Sequence, residues 1–205
     1  RARGLARAMA NTKQVKAADV FNNGFNASFA GGDGQPFFSA SHPTVGDGNQ
    51  SNALTGADLS EASLETALIT VSKQKDDRGI LTGSQAVSLH IPSDSVFIAD
   101  QILNSTLSTT TAANGGNGIT NVNDINSIRN QGLLPRGYFV NRRFTDTNAF
   151  FIKTDSPNGA KMFVRAPLQT KMEPDFDTGN LRFKARERYS FGFSDWRSYY
   201  GNPGS

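Results

Sequence analysis

The stretch LRFKARERYSFGFSDW, residues 181 to 196, constrains this chain more than any other. Leu181, Phe183, Ala185, Tyr189, Phe191 and Phe193 share one parity, while Arg182, Lys184, Arg186 and Arg188 share the other. Successive side chains of a strand point to opposite sides, so the alternation predicts one packed face and one wet, cationic face. At about 3.3 Å per residue the run would stretch roughly 50 Å, two to three times the usual strand. A compact single-domain enzyme has little use for such an element, whereas an elongated protein that presents a flat body to neighbours does. Glu187 interrupts the apolar parity. An unpaired buried carboxylate is too costly to keep, so Glu187 is expected in an ion pair with a nearby Arg, at an edge facing water, or in a polar contact at a subunit junction.

Composition excludes several classes. With 205 residues and 37% hydrophobic content, the chain can build one substantial core or two small ones. No apolar run is long enough to span a bilayer, and no charged-then-apolar leader precedes a small-residue cleavage site, so assembly in the cytoplasm is the expectation. Zero cysteines exclude disulfides and thiolate metal sites, and His42 and His90 alone offer imidazole. No cofactor is expected. The net charge is +3, distributed unevenly. Residues 1–56 carry five basic and three acidic side chains, 57–160 eight and ten, and 161–205 eight and five. Basic ends around a slightly acidic middle predict at most a weak, sequence-blind polyanion contact.

Residues 1 to about 22 are rich in helix formers, with Leu5, Ala8, Met9 and Thr12 at helical spacing and a stop at Asn22–Gly24. The opening reads like the inside of a helix, and the natural polypeptide is expected to extend upstream. Residues 26–56 are expected to be mostly irregular around the apolar island PFFSASHP. DLSEASLETALITVS begins with Asp58 three residues before Glu61, which resembles a capping box, and then sets Leu64, Ala67, Leu68 and Val71 at i, i+3, i+4 and i+7. Next come a short strand at AVSLHIP, a helix capped by Ser93 or Asp94, a Gly/Asn/Thr surface loop at 108–124, a short helix at DINSIRNQG, and strands at YFVNRRF, AFFIKT and MFVRAPL before the long one. The order describes an α+β protein.

Catalytic signatures are absent. GGDGQP at 31–36 neither follows a strong strand nor leads into a helix, and no Gly-Lys-Ser/Thr follows it. His42 beside Asp33 or Asp47 could be imagined as the base of a small hydrolase; a loop histidine bonding backbone and buttressing the Pro43 turn is the plainer reading. His90, on the parity opposite Leu89 and Ile91, should be half exposed. The basic stripe is what remains: a solvated face, a set of intersubunit salt bridges, or a contact with packaged nucleic acid.

The blocks ANTKQVKAADVFNNGFN, PFFSASHP, ADLSEASLETAL, INSIRNQGLLPRGYFVN, FFIKTDSPNGAKMFVRAPL and MEPDFDTGNLRFKARERYSFGFSDWRSYYG follow one another over nearly the whole chain. In that order they resemble the major capsid proteins of tailed bacteriophages with the Hong Kong 97 fold. The resemblance implies an α+β subunit with a peripheral domain, holding a long spine helix and a long sheet, and an axial domain inserted within it. Residues 1–56 would be the spine helix and following loop, 57–176 the axial domain, and 177–205 the return strand of the peripheral domain. It further implies a non-enzymatic subunit of an icosahedral virion shell, self-assembling in pentamers and hexamers around double-stranded DNA, with scaffolding, portal or decoration proteins as further partners and no membrane. The family's N-terminal arm and extended loop have no counterpart here, so they are expected either upstream of residue 1 or to be lacking in a reduced member. Arg182, Lys184, Arg186, Arg188 and Glu187 would lie at a subunit junction or face DNA. The alternative reading is a phage surface adhesin or glycan-binding protein, to which Asn/Thr/Gly-rich loops and aromatic strands also suit.

Overall fold

A computed structural model describes residues 2–107, 125–174, 176–177 and 179–205. The Ala- and Lys/Arg-rich opening forms α1, Ala2–Asn22, about 30 Å long at 1.5 Å per residue. It ends where Asn23 and Gly24 donate their amides back to Asp19 and Phe21. Gly24 is required there by packing: a Cβ would lie 2.5 Å from the Phe38 ring. As expected, 25–60 is largely irregular, with two-residue strands β1 (His42–Pro43) and β2 (Asn49–Gln50) paired with each other.

Helix α2, Glu61–Ser72, buries Leu64, Ala67, Leu68 and Val71, as their spacing predicts. Its cap differs from the expectation. Ser60, not Asp58, is the N-cap, and a capping box closes reciprocally with Ser63. Asp58 lies too far upstream to reach the first free amides and instead accepts from Ser205. Strand β3, Ala86–Ile91, leads through a 3-10 turn, Ser93–Ser95, into α3, Val96–Asn104. Neither Ser93 nor Asp94 caps α3, because the turn runs directly into the helix. Helix α4, Ser127–Asn130, is capped by Asn126. Four strands follow: β4 (Tyr138–Val140), β5 (Phe150–Thr154), β6 (Ala160–Pro174) and β7 (Leu181–Phe193). A 3-10 turn at Trp196–Ser198 then leads to β8 (Tyr199–Asn202). The loop predicted at 108–124 lies outside the described residues.

Two substructures result. A four-stranded sheet, in the order β4-β3-β5-β8, is antiparallel except between β3 and β4. One face, carrying Leu89, Ile91, Phe150, Ile152 and Tyr200, packs on α2, α3 and α4. The alternate side chains, Ala149, Phe151 and Tyr199, join Phe37, Phe38 and Trp196 in an aromatic core on the other face. The second substructure is a hairpin of β6 and β7, paired from Ala160↔Phe193 to Pro174↔Leu181, with irregularities around Ala166. Helix α1 lies along one face of β7. Among the described residues we call α1 with the hairpin (within 2–25 and 160–193) the limb, and the others the body.

The root of the limb is fixed in the aromatic core. Phe21, at the end of α1, meets Phe151 at 5.3 Å and Tyr199 at 5.1 Å, while Phe193, at the end of β7, stacks on Phe37 at 4.4 Å. Phe38 sits between two glycines, since a Cβ on Gly201 would lie 2.6 Å from it. The position 176–177, expected as a domain boundary, falls in the hairpin turn, and β8 rejoins the body sheet beside β5.

Candidate functional site

The strand with two faces is present as predicted over 181–193, stopping at Phe193 because Asp195 caps the following 3-10 turn. Its odd parity faces α1. Tyr189 and Phe191 are half buried there, and their rings meet edge to face at 5.4 Å. Phe183, expected to be packed, is 43% exposed. The reason is geometric: a single helix cannot cover a two-stranded sheet longer than itself. Leu5, Ala6, Met9, Leu168, Met172 and Phe183 therefore line an open apolar groove of about 370 Å³ between α1 and the hairpin.

Glu187 shares this helix-facing parity. Its side chain is only 5% exposed, and its carboxylate is ion-paired with Lys13 of α1. The partner is thus a lysine of the helix, not a neighbouring arginine of the strand. No spacing in the sequence brings residues 13 and 187 together. Lys13 also lies over the Tyr189 ring at 5.3 Å.

The even parity, Arg182, Lys184, Arg186 and Arg188, faces away from α1 and is exposed. Pairing sets Glu173 opposite Arg182, Lys171 opposite Lys184, Gln169 opposite Arg186 and Ala166 opposite Arg188. Lys171 thus extends the stripe from the second strand, which the β7 sequence does not announce. Lys184, Arg186 and Arg188 have no ion-pair partner among the described residues. With the strand repeat, alternate cations stand about 7 Å apart.

The His42 cluster is a staple. His42 is wholly buried, with Nδ1 2.6 Å from Asp33 Oδ2 and Nε2 3.0 Å from Asn52 Oδ1. Asn52 is itself fixed: its amide donates to the carbonyls of Phe37, Trp196 and Tyr199 at 2.8, 3.1 and 3.0 Å, and its oxygen accepts from Ser39 N–H. That orientation makes His42 Nε2 a donor. The ring stacks on Trp196 at 4.5 Å and 5°, and Arg197 covers the indole at 4.4 Å. Neither ring nitrogen is left to take a substrate's proton, so the hydrolase reading has no base. The expected Asp33 contact exists, but the partners are side chains and not turn backbone. GGDGQP supplies Asp33 and closes on itself through Gly31 N–H to Gln35 O at 2.7 Å.

His90 is more buried than half. It lies against Phe139 and Tyr199, and desolvation, with the charge of Lys153, lowers its pKa to about 4. Among the described residues no group of acidic, His or Cys side chains could hold a metal, and no helix is long and apolar enough to cross a membrane.

The limb thus carries an uncovered apolar groove and an exposed cationic face. In comparison with known families, one described as "phage capsid protein" matches residues 1–202. None of the curated proteins matches the chain.

Proposed function

Since the chain belongs to the phage capsid protein family over residues 1–202, we propose that it is the repeating major subunit of an icosahedral, tailed-bacteriophage head with the Hong Kong 97 fold. Membership by itself makes the role structural and not enzymatic, places the protein in the virion capsid, and implies assembly with copies of itself. The finer reading is ours. In it the limb is the peripheral domain, with α1 as spine helix and the β6–β7 hairpin as long sheet, and the body is the inserted axial domain. This division follows packing, and so shifts residues 26–56, the hairpin's first strand and the β8 segment relative to a division at 1–56, 57–176 and 177–205. Subunits group in pentamers and hexamers around double-stranded DNA, assembled in the host cytoplasm, with scaffolding, portal or decoration proteins as further partners.

The observation that carries this reading is the apolar surface of the limb. Met162, Phe163, Val164, Leu168, Met172, Leu181 and Phe183 are each between 42% and 61% exposed along one hairpin. A monomer gains nothing from such a surface and risks aggregation, whereas a subunit covers it with neighbours. The test is sedimentation velocity with negative-stain microscopy of the purified protein. Discrete rings or closed particles of uniform size are expected. A protein that stays monomeric up to high concentration, across ionic strengths, would sink the reading.

A further inference from the structure

Tertiary structure separates charge in a way the linear chain does not. Among the described residues the limb holds eleven basic and four acidic side chains, net +7, while the body holds nine and twelve, net −3. We propose that the cationic face of one copy's hairpin docks on the outward face of α3 of a second copy, head to tail. This rests on the shell-subunit reading and names the contact within it.

The acceptor is chosen by carboxylates standing beside exposed apolar side chains. Elsewhere in the body Asp47 pairs with Lys75, Asp77 and Asp195 pair with Arg197, Asp33 bonds His42, and Asp58, Glu65, Asp76, Asp146 and Asp155 accept from backbone or hydroxyl groups. Asp94 and Asp100 carry no ion pair among the described residues, and both are exposed on α3 or the turn that enters it; Asp100 accepts from Asn104 and Tyr138 through one oxygen only. Phe97 and Asp100 stand at i and i+3 on α3 and so are neighbours on its exposed surface, with Ile98 beside Phe97 and Asp94 in the 3-10 turn that enters the helix. Phe97 is 81% exposed and Ile98 46%. An exposed aromatic flanked by acids is costly in a free surface and useful at the centre of an interface. The hairpin answers in kind, with Phe163 52% exposed and opposite Ser190 on the cationic face. Dimensions agree: Lys184 to Arg188 spans about 13 Å of strand, and Asp94 to Asp100 about 9 Å of helix, within the reach of Arg and Lys side chains. The two patches differ, so the contact is heterologous, the kind that closes into rings or shells. Duplex DNA on the same face would leave Phe163 uncovered.

Reciprocal charge reversal tests it. Arg186→Glu with Arg188→Glu, and separately Asp94→Lys with Asp100→Lys, are exposed changes that should leave far-UV dichroism unaltered, the second pair lowering the melting midpoint slightly through the lost Asp100 bonds to Asn104 and Tyr138. Each should weaken association roughly tenfold or more, as like charges then face each other. Mixing the two variant proteins, or placing all four changes in one chain, should restore assembly. Should the glutamates impair folding, Arg186→Gln with Arg188→Gln reads the same contact. If association survives the hairpin reversal while retention of double-stranded DNA falls in a salt-dependent way, DNA is the occupant and the proposal fails. If the α3 reversal has no effect, or the combined reversal restores nothing, α3 is not the acceptor. Wild-type protein that forms no assembly at all would remove the shell reading as well; wild-type particles with unaffected variants would remove this contact alone.

Discussion

Lys13 of α1 and Glu187 of β7 form an ion pair that locks the spine of the limb, placing a carboxylate on what is otherwise the apolar parity of the strand. It fixes the helix against the hairpin in one register, because sliding either element by a residue would leave the 5%-exposed carboxylate without its ammonium.

Removing one member should therefore cost more than removing both. Lys13→Met is expected to destabilise by about 1–3 kcal/mol, the lower end being favoured because Lys13 keeps partial contact with water. Lys13→Met with Glu187→Met should recover most of the loss, since apolar partners of similar length suit the face. Denaturant unfolding of the four proteins in a double-mutant cycle measures the coupling; additive losses would mean that the pair holds nothing.

The Asn52 staple gives a prediction that runs against simple volume. Asn52→Asp changes no shape, yet it turns an amide donating to three backbone carbonyls into an oxygen facing them. It should cost about 3 kcal/mol or more, exceeding Asn52→Ala, because electrostatic repulsion adds to the lost hydrogen bonds. Thermal melts of both variants decide this, and an Asp variant as stable as the Ala variant would dismiss the amide's role.

Burial of His90 makes stability depend on pH. In the unfolded chain the imidazole protonates near 6.5, in the folded one near 4. Between these values the unfolded state binds more protons, so the contribution is whole above pH 6.5 and is lost as the pH falls towards 4. The loss should reach about 2–3 kcal/mol. His90→Gln keeps a polar atom for Ser88, whose hydroxyl lies 3.1 Å from His90 Nε2, and should flatten the profile in that window. Unfolding free energies measured at pH 7, 5.5 and 4 in both proteins test it.

Gly201→Ala probes the junction between limb and body. The added methyl would lie 2.6 Å from Phe38 and 3.0 Å from Phe25, in the core that seats Phe21 and Phe193. Overpacking of this kind costs about 1–3 kcal/mol. At roughly 2–4 °C per kcal/mol the midpoint should drop by several degrees. An unchanged midpoint would show that the aromatic core yields at no cost.

Periodicity carried a large part of the fold. Leu64, Ala67, Leu68 and Val71 announce the buried face of α2, and the alternation over 181–193 announces β7 with its cationic side, because local side-chain direction follows from backbone geometry alone. A family resemblance could be read from successive sequence blocks for the same reason: it is a property of the linear string. Tertiary structure decided the rest. That β6 continues to Pro174 as the partner of β7, that Lys13 meets Glu187, that Lys171 joins the basic stripe, and that Asn52 holds His42 beneath Trp196 all depend on residues distant in sequence. The +7 and −3 division of the described residues likewise appears only once α1 and the hairpin come together. No local pattern encodes such meetings, because their energy comes from burial and pairing between elements, and those terms exist only when the chain has closed on itself.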